Sequence, residues 1–153
     1  MGGLLSVEMA RRLRAAGEEV APVMLLDPTP PGQASSLAAA DEASLLEAFV
    51  HDLAGLGSTD TLPQGLREQM LDLYRQSASA LRGYRPRRYD GRVDLYLACG
   101  PDGADRAGAV EEWQALAADG LEAHRFRCGH YDLLRSPVVS ELARRLARRW
   151  SSF

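Results

Sequence analysis

The chain has 153 residues, 46% of them hydrophobic and 25% charged, with a formal net charge of −3. That composition excludes a disordered chain, a collagen-like repeat and a coiled-coil rod, and the length suits one domain with a hydrophobic core. The acidic balance argues against general nucleic-acid affinity, and no apolar run approaches the roughly 18 residues a membrane helix requires.

The N-terminal MGGLLSVEMARR has too short an apolar stretch for a secretion signal, and its arginines follow that stretch instead of preceding it. Cys99 and Cys128 fall in no CxxC or Cys/His metal spacing, so neither a disulfide scaffold nor a metal site is expected. A reduced cytoplasmic chain without a bound cofactor is the expectation. All 18 basic residues are arginine, and Lys, Ile and Asn are missing altogether. Those three residue types use A/T-rich codons, so the bias is genetic in character. Residue type alone therefore does not mark an arginine cluster as a recognition site.

In chain order, Leu4, Leu5, Met9 and Leu13 recur at helical spacing, which predicts a helix from Leu4 to Ala16 closed by Gly17. Val20 to Leu26 is a nearly continuous apolar run and predicts a strand buried on both faces. Asp27 and a turn-rich TPPGQASS follow it. Residues 37 to 82 read as helical, with one apolar stripe over Leu45, Leu46, Phe49, Val50 and Leu53 and a second over Leu66, Met70, Leu73, Tyr74 and Leu81. A loop is expected at 56–63, and a hinge in GYRPRRYDG. Val93 to Ala98 predicts a second strand and Ala107 to Ala118 a helix. Leu121 to Arg127, mixed in polarity, predicts a third strand at a sheet edge. Gly129 to Ser136 reads as a loop, and Pro137 opens a last helix ending near Trp150. Strands alternating with helices imply a parallel sheet of about three strands in an α/β fold.

In open parallel sheets, reactive groups gather at the C-terminal ends of strands. Asp27 directly follows the first strand, and His130 directly follows the third. An acid and then a histidine in that order matches the last two members of the α/β-hydrolase triad, in which the acid orients an imidazole that takes a proton from serine. The serine of that scheme sits on a sharp turn, G-x-S-x-G, just before a helix. Here Met-Gly-Gly runs straight into a helix, like the second half of that motif. Met1 then stands in the slot whose backbone amide faces an oxyanion, and the serine is expected ahead of Met1, with no nucleophile in the chain itself.

Through MGGLLSVEMARRLRAAGEEV, VMLLDPTPPG, YRPRRYDGRVDLYLA, the Trp113 helix and CGHYDLLRSPVVSELARRL, the chain resembles the C-terminal part of thioesterase domains of non-ribosomal peptide and polyketide synthases and their stand-alone relatives. The resemblance runs through essentially all of residues 1–153, as one partial α/β-hydrolase domain. It implies Asp27 as the triad acid, His130 as the base, and a helical lid over an acyl pocket at about residues 35–84. It also implies a substrate carried on the phosphopantetheine arm of an acyl or peptidyl carrier protein, released by hydrolysis or cyclisation in natural-product biosynthesis. The chain departs from the family at the histidine loop, where Cys128 and Gly129 precede His130 in place of the usual Gly-x-His.

Bland readings stand beside these. Asp27 before Pro28 is also a common turn pairing. Ser6 lies a helical turn beyond the expected elbow, where its hydroxyl bonds backbone, and Cys128 reads as a structural thiol. His51 and His124 read as ordinary helix and strand residues. The Arg-rich RRLARRW reads as a solvated helix face or as a contact for an acidic carrier protein. Two functions remain open: the acid–base part of a serine thioesterase, inactive as this chain alone, or a non-catalytic thioesterase remnant that binds a carrier protein or oligomerises through an exposed sheet edge.

Overall fold

The computed structural model describes residues 1–55, 57, 62–100 and 108–151. The elements are α1 (Gly2–Ala15), β1 (Val23–Leu26), α2 (Pro31–Ala39), α3 (Glu42–Gly55), α4 (Gln64–Leu81), β2 (Val93–Cys99), α5 (Ala109–Leu116), β3 (Leu121–Arg127), a 3₁₀ turn (His130–Leu134) and α6 (Val138–Trp150). The three strands form one parallel sheet in the order β1-β2-β3. Val23 pairs with Val93 and Val93 with Leu121, so all three strands start level. This is the parallel α/β arrangement of about three strands expected from the alternation of elements.

The chain divides into two compact units, residues 1–30 with 86–153, and residues 31–85. The first holds the sheet. Strand side chains alternate between faces. On one face, Tyr96, Phe126, Leu133 and Leu142 form a buried cluster, with Met24, Ala98, Cys128, Val138 and Leu146 packed around it. That face is covered by α6, which is strongly amphipathic and turns Leu142 inward. Asp94 is fully buried on β2, and the Arg149 fork neutralises it from α6 through Nε–Oδ2 at 2.6 Å and Nη2–Oδ1 at 3.0 Å. Val93, Leu95, Leu97 and Cys99 point to the opposite face, the side of α1 and α5, where Leu4, Val7, Ala10 and Trp113 are buried.

The first helix approaches this layer closely at Gly3. A Cβ there would lie 2.7 Å from the Pro28 Cβ and 3.1 Å from the Trp113 ring. Only a glycine allows that approach, and it puts the start of α1 against the residue that follows Asp27.

The second unit is three helices. Phe49 of α3 meets Tyr74 of α4 edge to face at 5.5 Å, and the Tyr74 hydroxyl donates to Asp52. Arg75 reaches Glu42 at 2.9 Å, and Arg82 donates to the Ala38 carbonyl.

Several expectations are corrected. The most buried strand is β2, not Val20–Leu26, where regular pairing covers only Val23–Leu26 and Leu26 is 40% exposed. Among the described residues β1 pairs with β2 alone and stands at the sheet edge. The turn-rich PPGQASS is instead the start of α2, because Pro31 needs no donor in a first helical turn. The loop after β3 holds a 3₁₀ turn. The expected loop at 56–63 and the helix start at Ala107 fall largely outside the described residues.

Candidate active site

Asp27 and His130 leave the C-terminal ends of β1 and β3, on either side of β2. Asp27 is 4% exposed and adopts a left-handed backbone, φ 41°. Aspartate tolerates that region better than most residues, yet the conformation is still costly. Two contacts with β2 hold it: the Asp27 N–H donates to the Tyr96 carbonyl at 2.7 Å, and the Ala98 N–H donates to Oδ1 at 3.0 Å. Oδ2 is left to face His130 Nδ1 at 2.6 Å.

His130 opens the 3₁₀ turn, and its side chain is 44% exposed against 4% for Asp27. Its ring meets Tyr131 edge to face at 4.8 Å. With a carboxylate on Nδ1, the neutral imidazole carries its proton there and its lone pair on Nε2. The pair therefore has one anchored, buried end and one open, basic end. That geometry suits proton removal from an incoming group.

The turn that aims His130 is locked locally. The Gly129 N–H donates to Asp132 Oδ2 at 3.2 Å, and the Asp132 N–H donates to the Gly129 carbonyl at 3.0 Å. An added Cβ on Gly129 would lie 2.9 Å from that carboxylate oxygen. A side chain at Gly129 would press on that carboxylate, and no positive φ calls for glycine here, since Gly129 has φ −77°. Cys128 has no positive φ either, so its replacement of the family's usual glycine costs no backbone strain. The sequence reading passed over Asp132, although an acid three residues after a turn start is a recognisable capping signal. It also missed the Ala98 amide, which no residue type could reveal.

The other candidates separate from this pair. Met1 caps α1, accepts from the Leu5 N–H at 3.2 Å, and lies at the end of α1 that meets Pro28. The Ser6 hydroxyl donates to the Gly2 carbonyl at 3.0 Å, the backbone bond its position on the helix called for. The Cys128 N–H donates to the Cys99 carbonyl, while its side chain packs on the Tyr96 cluster. Burial, then the charges of Asp132 and Asp27, push its thiol pKa up, which disfavours the reactive thiolate. His51 is exposed on α3, and His124 stacks on Tyr96 at 4.6 Å within β3. Among the described residues no group of His, Cys, Asp and Glu could hold a metal ion, and no helix is long and apolar enough to cross a membrane.

A family model described as a thioesterase domain matches residues 1–149. The chain belongs to the thioesterase domain family. Among solved structures, this thioesterase chain is similar to the NocB thioesterase domain in covalent complex with a fluorophosphonate nocardicin G analog, with 26% identity and a TM-score of 0.70. The match covers 97% of this chain and 62% of that one. A four-domain non-ribosomal peptide synthetase, AB3403, bound to AMP and glycine matches at 25% identity and a TM-score of 0.70, over 92% of this chain and 13% of that one. The RedJ thioesterase of the prodiginine pathway in Streptomyces coelicolor shares the fold at 23% identity and a TM-score of 0.66, over 96% of this chain and 56% of its own. The chain thus spans less than two thirds of these structures. No curated protein matched its sequence.

Proposed function

We propose that residues 1–153 carry the acid–base part and the lid of a serine thioesterase that releases an acyl or peptidyl chain from the phosphopantetheine arm of a carrier protein. The observation that carries this reading is the 2.6 Å contact between His130 Nδ1 and a buried, doubly anchored Asp27 at the ends of parallel strands. In this mechanism a serine on the turn leading into α1 attacks the thioester carbonyl, and His130 Nε2 takes the serine proton. Backbone amides, that of Met1 among them, hold the oxyanion. His130 then returns the proton to the departing thiolate, and water or an internal nucleophile releases the acyl group. The three helices of residues 31–85 act as the lid that shields the acyl chain. Family membership and the synthetase thioesterase neighbours support the substrate class, and a cytoplasmic setting belongs to the same reading.

Met1, Gly2 and Gly3 at the start of α1 include no serine, so this reading requires one from outside residues 1–153. The test is acyl-pantetheine hydrolysis by the 153-residue chain and by the reading frame extended upstream. We expect no turnover from the former. We expect turnover from the latter, reduced on the order of a thousandfold or more by His130→Ala. Turnover by the short chain alone, abolished by His130→Ala, would overturn the proposal.

One observation favours a second reading. The β1 edge is unpaired among the described residues, and Leu26 on it is exposed. Such an edge pairs readily with another strand, as a non-catalytic remnant that self-associates or binds a carrier protein would use it.

A further inference from the structure

At the far end of α1 from Met1, a second concave site is built from different chemistry. Arg11, Arg14 and Ala15 of α1 and the segment Arg87–Asp90 line a cleft of about 380 Å³. The helix rises about 1.5 Å per residue, so Arg11 and Arg14 lie roughly 12–17 Å along the axis from the Gly3 contact with Pro28. The cleft belongs wholly to the sheet-bearing unit.

Its charge is unbalanced. Arg11 is held by Glu8 through two contacts of 2.9 Å. Arg14, Arg87 and Arg88 have no carboxylate partner among the described residues, although Asp90 sits in the same lining. By contrast, Arg149, Arg145 and Arg75 each hold a carboxylate, of Asp94, Glu141 and Glu42. Under the same cleft lies Tyr89, fully buried, with a hydroxyl that has no hydrogen-bond partner. Leaving such a group unmet is destabilising. Its backbone is fixed by bonds to Leu116 and Ala118, and the ring lies over Gly91, where a Cβ would come within 2.5 Å of the hydroxyl oxygen. Burial raises the phenol pKa, so the group remains a donor. Three arginines without an ion pair among the described residues and one carboxylate line a small concavity, with the unpartnered Tyr89 hydroxyl buried in the same segment.

We infer that this cleft binds the phosphate group of a small molecule through Arg14, Arg87 and Arg88, with the Tyr89 hydroxyl as a further donor. A single carboxylate fills one guanidinium fork, whereas a phosphate presents enough oxygens for several. A net charge of −3 over the whole chain disfavours a long polyanion, so the ligand is a compact phosphate or phosphate ester. The inference is independent of the serine chemistry proposed above, because none of these residues takes part in it.

The test is calorimetric titration of the 153-residue chain with inorganic pyrophosphate, ribose 5-phosphate and acetate at constant ionic strength. Saturable binding of at least one phosphate compound, with none of acetate, is expected. The tighter of the two phosphate compounds tells a free phosphate from an ester. Arg14→Gln and the double change Arg87→Gln/Arg88→Gln should each weaken binding at least tenfold, and Tyr89→Phe several-fold. The control Arg144→Gln/Arg148→Gln, on α6, should leave it unchanged. Absence of saturable phosphate binding, equal binding of acetate, or an equal loss in the α6 control would overturn the inference.

Discussion

Asp27 combines three demands that seldom coincide: burial, a left-handed backbone and a carboxylate committed on both oxygens. The pairing Asp-Pro reads equally as a turn, and only its place after a strand and ahead of a strand-end histidine hinted at more. The contacts that hold it come from Tyr96 and Ala98, seventy residues on, through backbone atoms that no side-chain pattern displays. The His130 position was legible for the same topological reason as Asp27. The role of Asp132 was missed, although its spacing to Gly129 carries a capping signal. In Asp27→Asn the acceptor facing Nδ1 is replaced by an amide that can turn its N–H₂ to the ring. The imidazole should then move its proton towards Nε2, which removes the basic end. Nitrogen-15 NMR of the His130 ring in the short chain would show the wild type protonated at Nδ1 in its neutral form and the variant shifted towards Nε2-H. An unchanged tautomer would mean that Asp27 does not orient the ring.

Periodicity served the elements well where one face is wet. The helices at Gly2–Ala15 and Val138–Trp150 and the strand at Leu121–Arg127 lie within a few residues of their expected bounds because each mixes apolar and charged positions. It served less well where composition misled. Pro30 and Pro31 suggested a turn, but Pro31 opens α2, and the uniform apolar run at Val20–Leu26 suggested a strand buried on both faces, whereas within Val23–Leu26 only Leu25 is buried. Glu8 on α1 carries a prediction of its own. Hydrogen bonds from Arg11 and then Arg12 lower its pKa from the usual 4.5 to about 2. A carboxylate depressed in the folded state stabilises fully above its unfolded pKa, and that contribution fades as pH falls towards the folded value. Because Arg12 is 75% exposed, solvent screening reduces the contribution to roughly 1 kcal/mol. Glu8→Gln should lower stability at pH 6 by about that amount and by little near pH 2. Thermal unfolding at the two pH values checks this, and an equal loss at both would remove the ion pair from the account.

At the scale of the whole molecule, the open flank of the sheet is the dominant feature. The β1 edge, exposed Leu26, and the exposed stripe Leu5, Met9 and Leu13 on α1 lie on the same sheet-bearing unit. Apolar surface of this kind beside an unpaired edge favours association. Sedimentation velocity over a concentration series should show reversible self-association of the short chain, diminished by Leu26→Arg. A strict monomer at all concentrations would count against edge pairing. Among these scales the Gly3 contact forms a link. It sets the indole of Trp113, wholly buried, against the entry to α1 and against Pro28, while Trp150 is 70% exposed. The two tryptophans are therefore optically distinct. Light emitted by Trp113 should lie to the blue and resist aqueous quenchers, and that of Trp150 should not. Any event that loosens the corner around Asp27 will then announce itself as a colour change from a fluorophore the chain already carries.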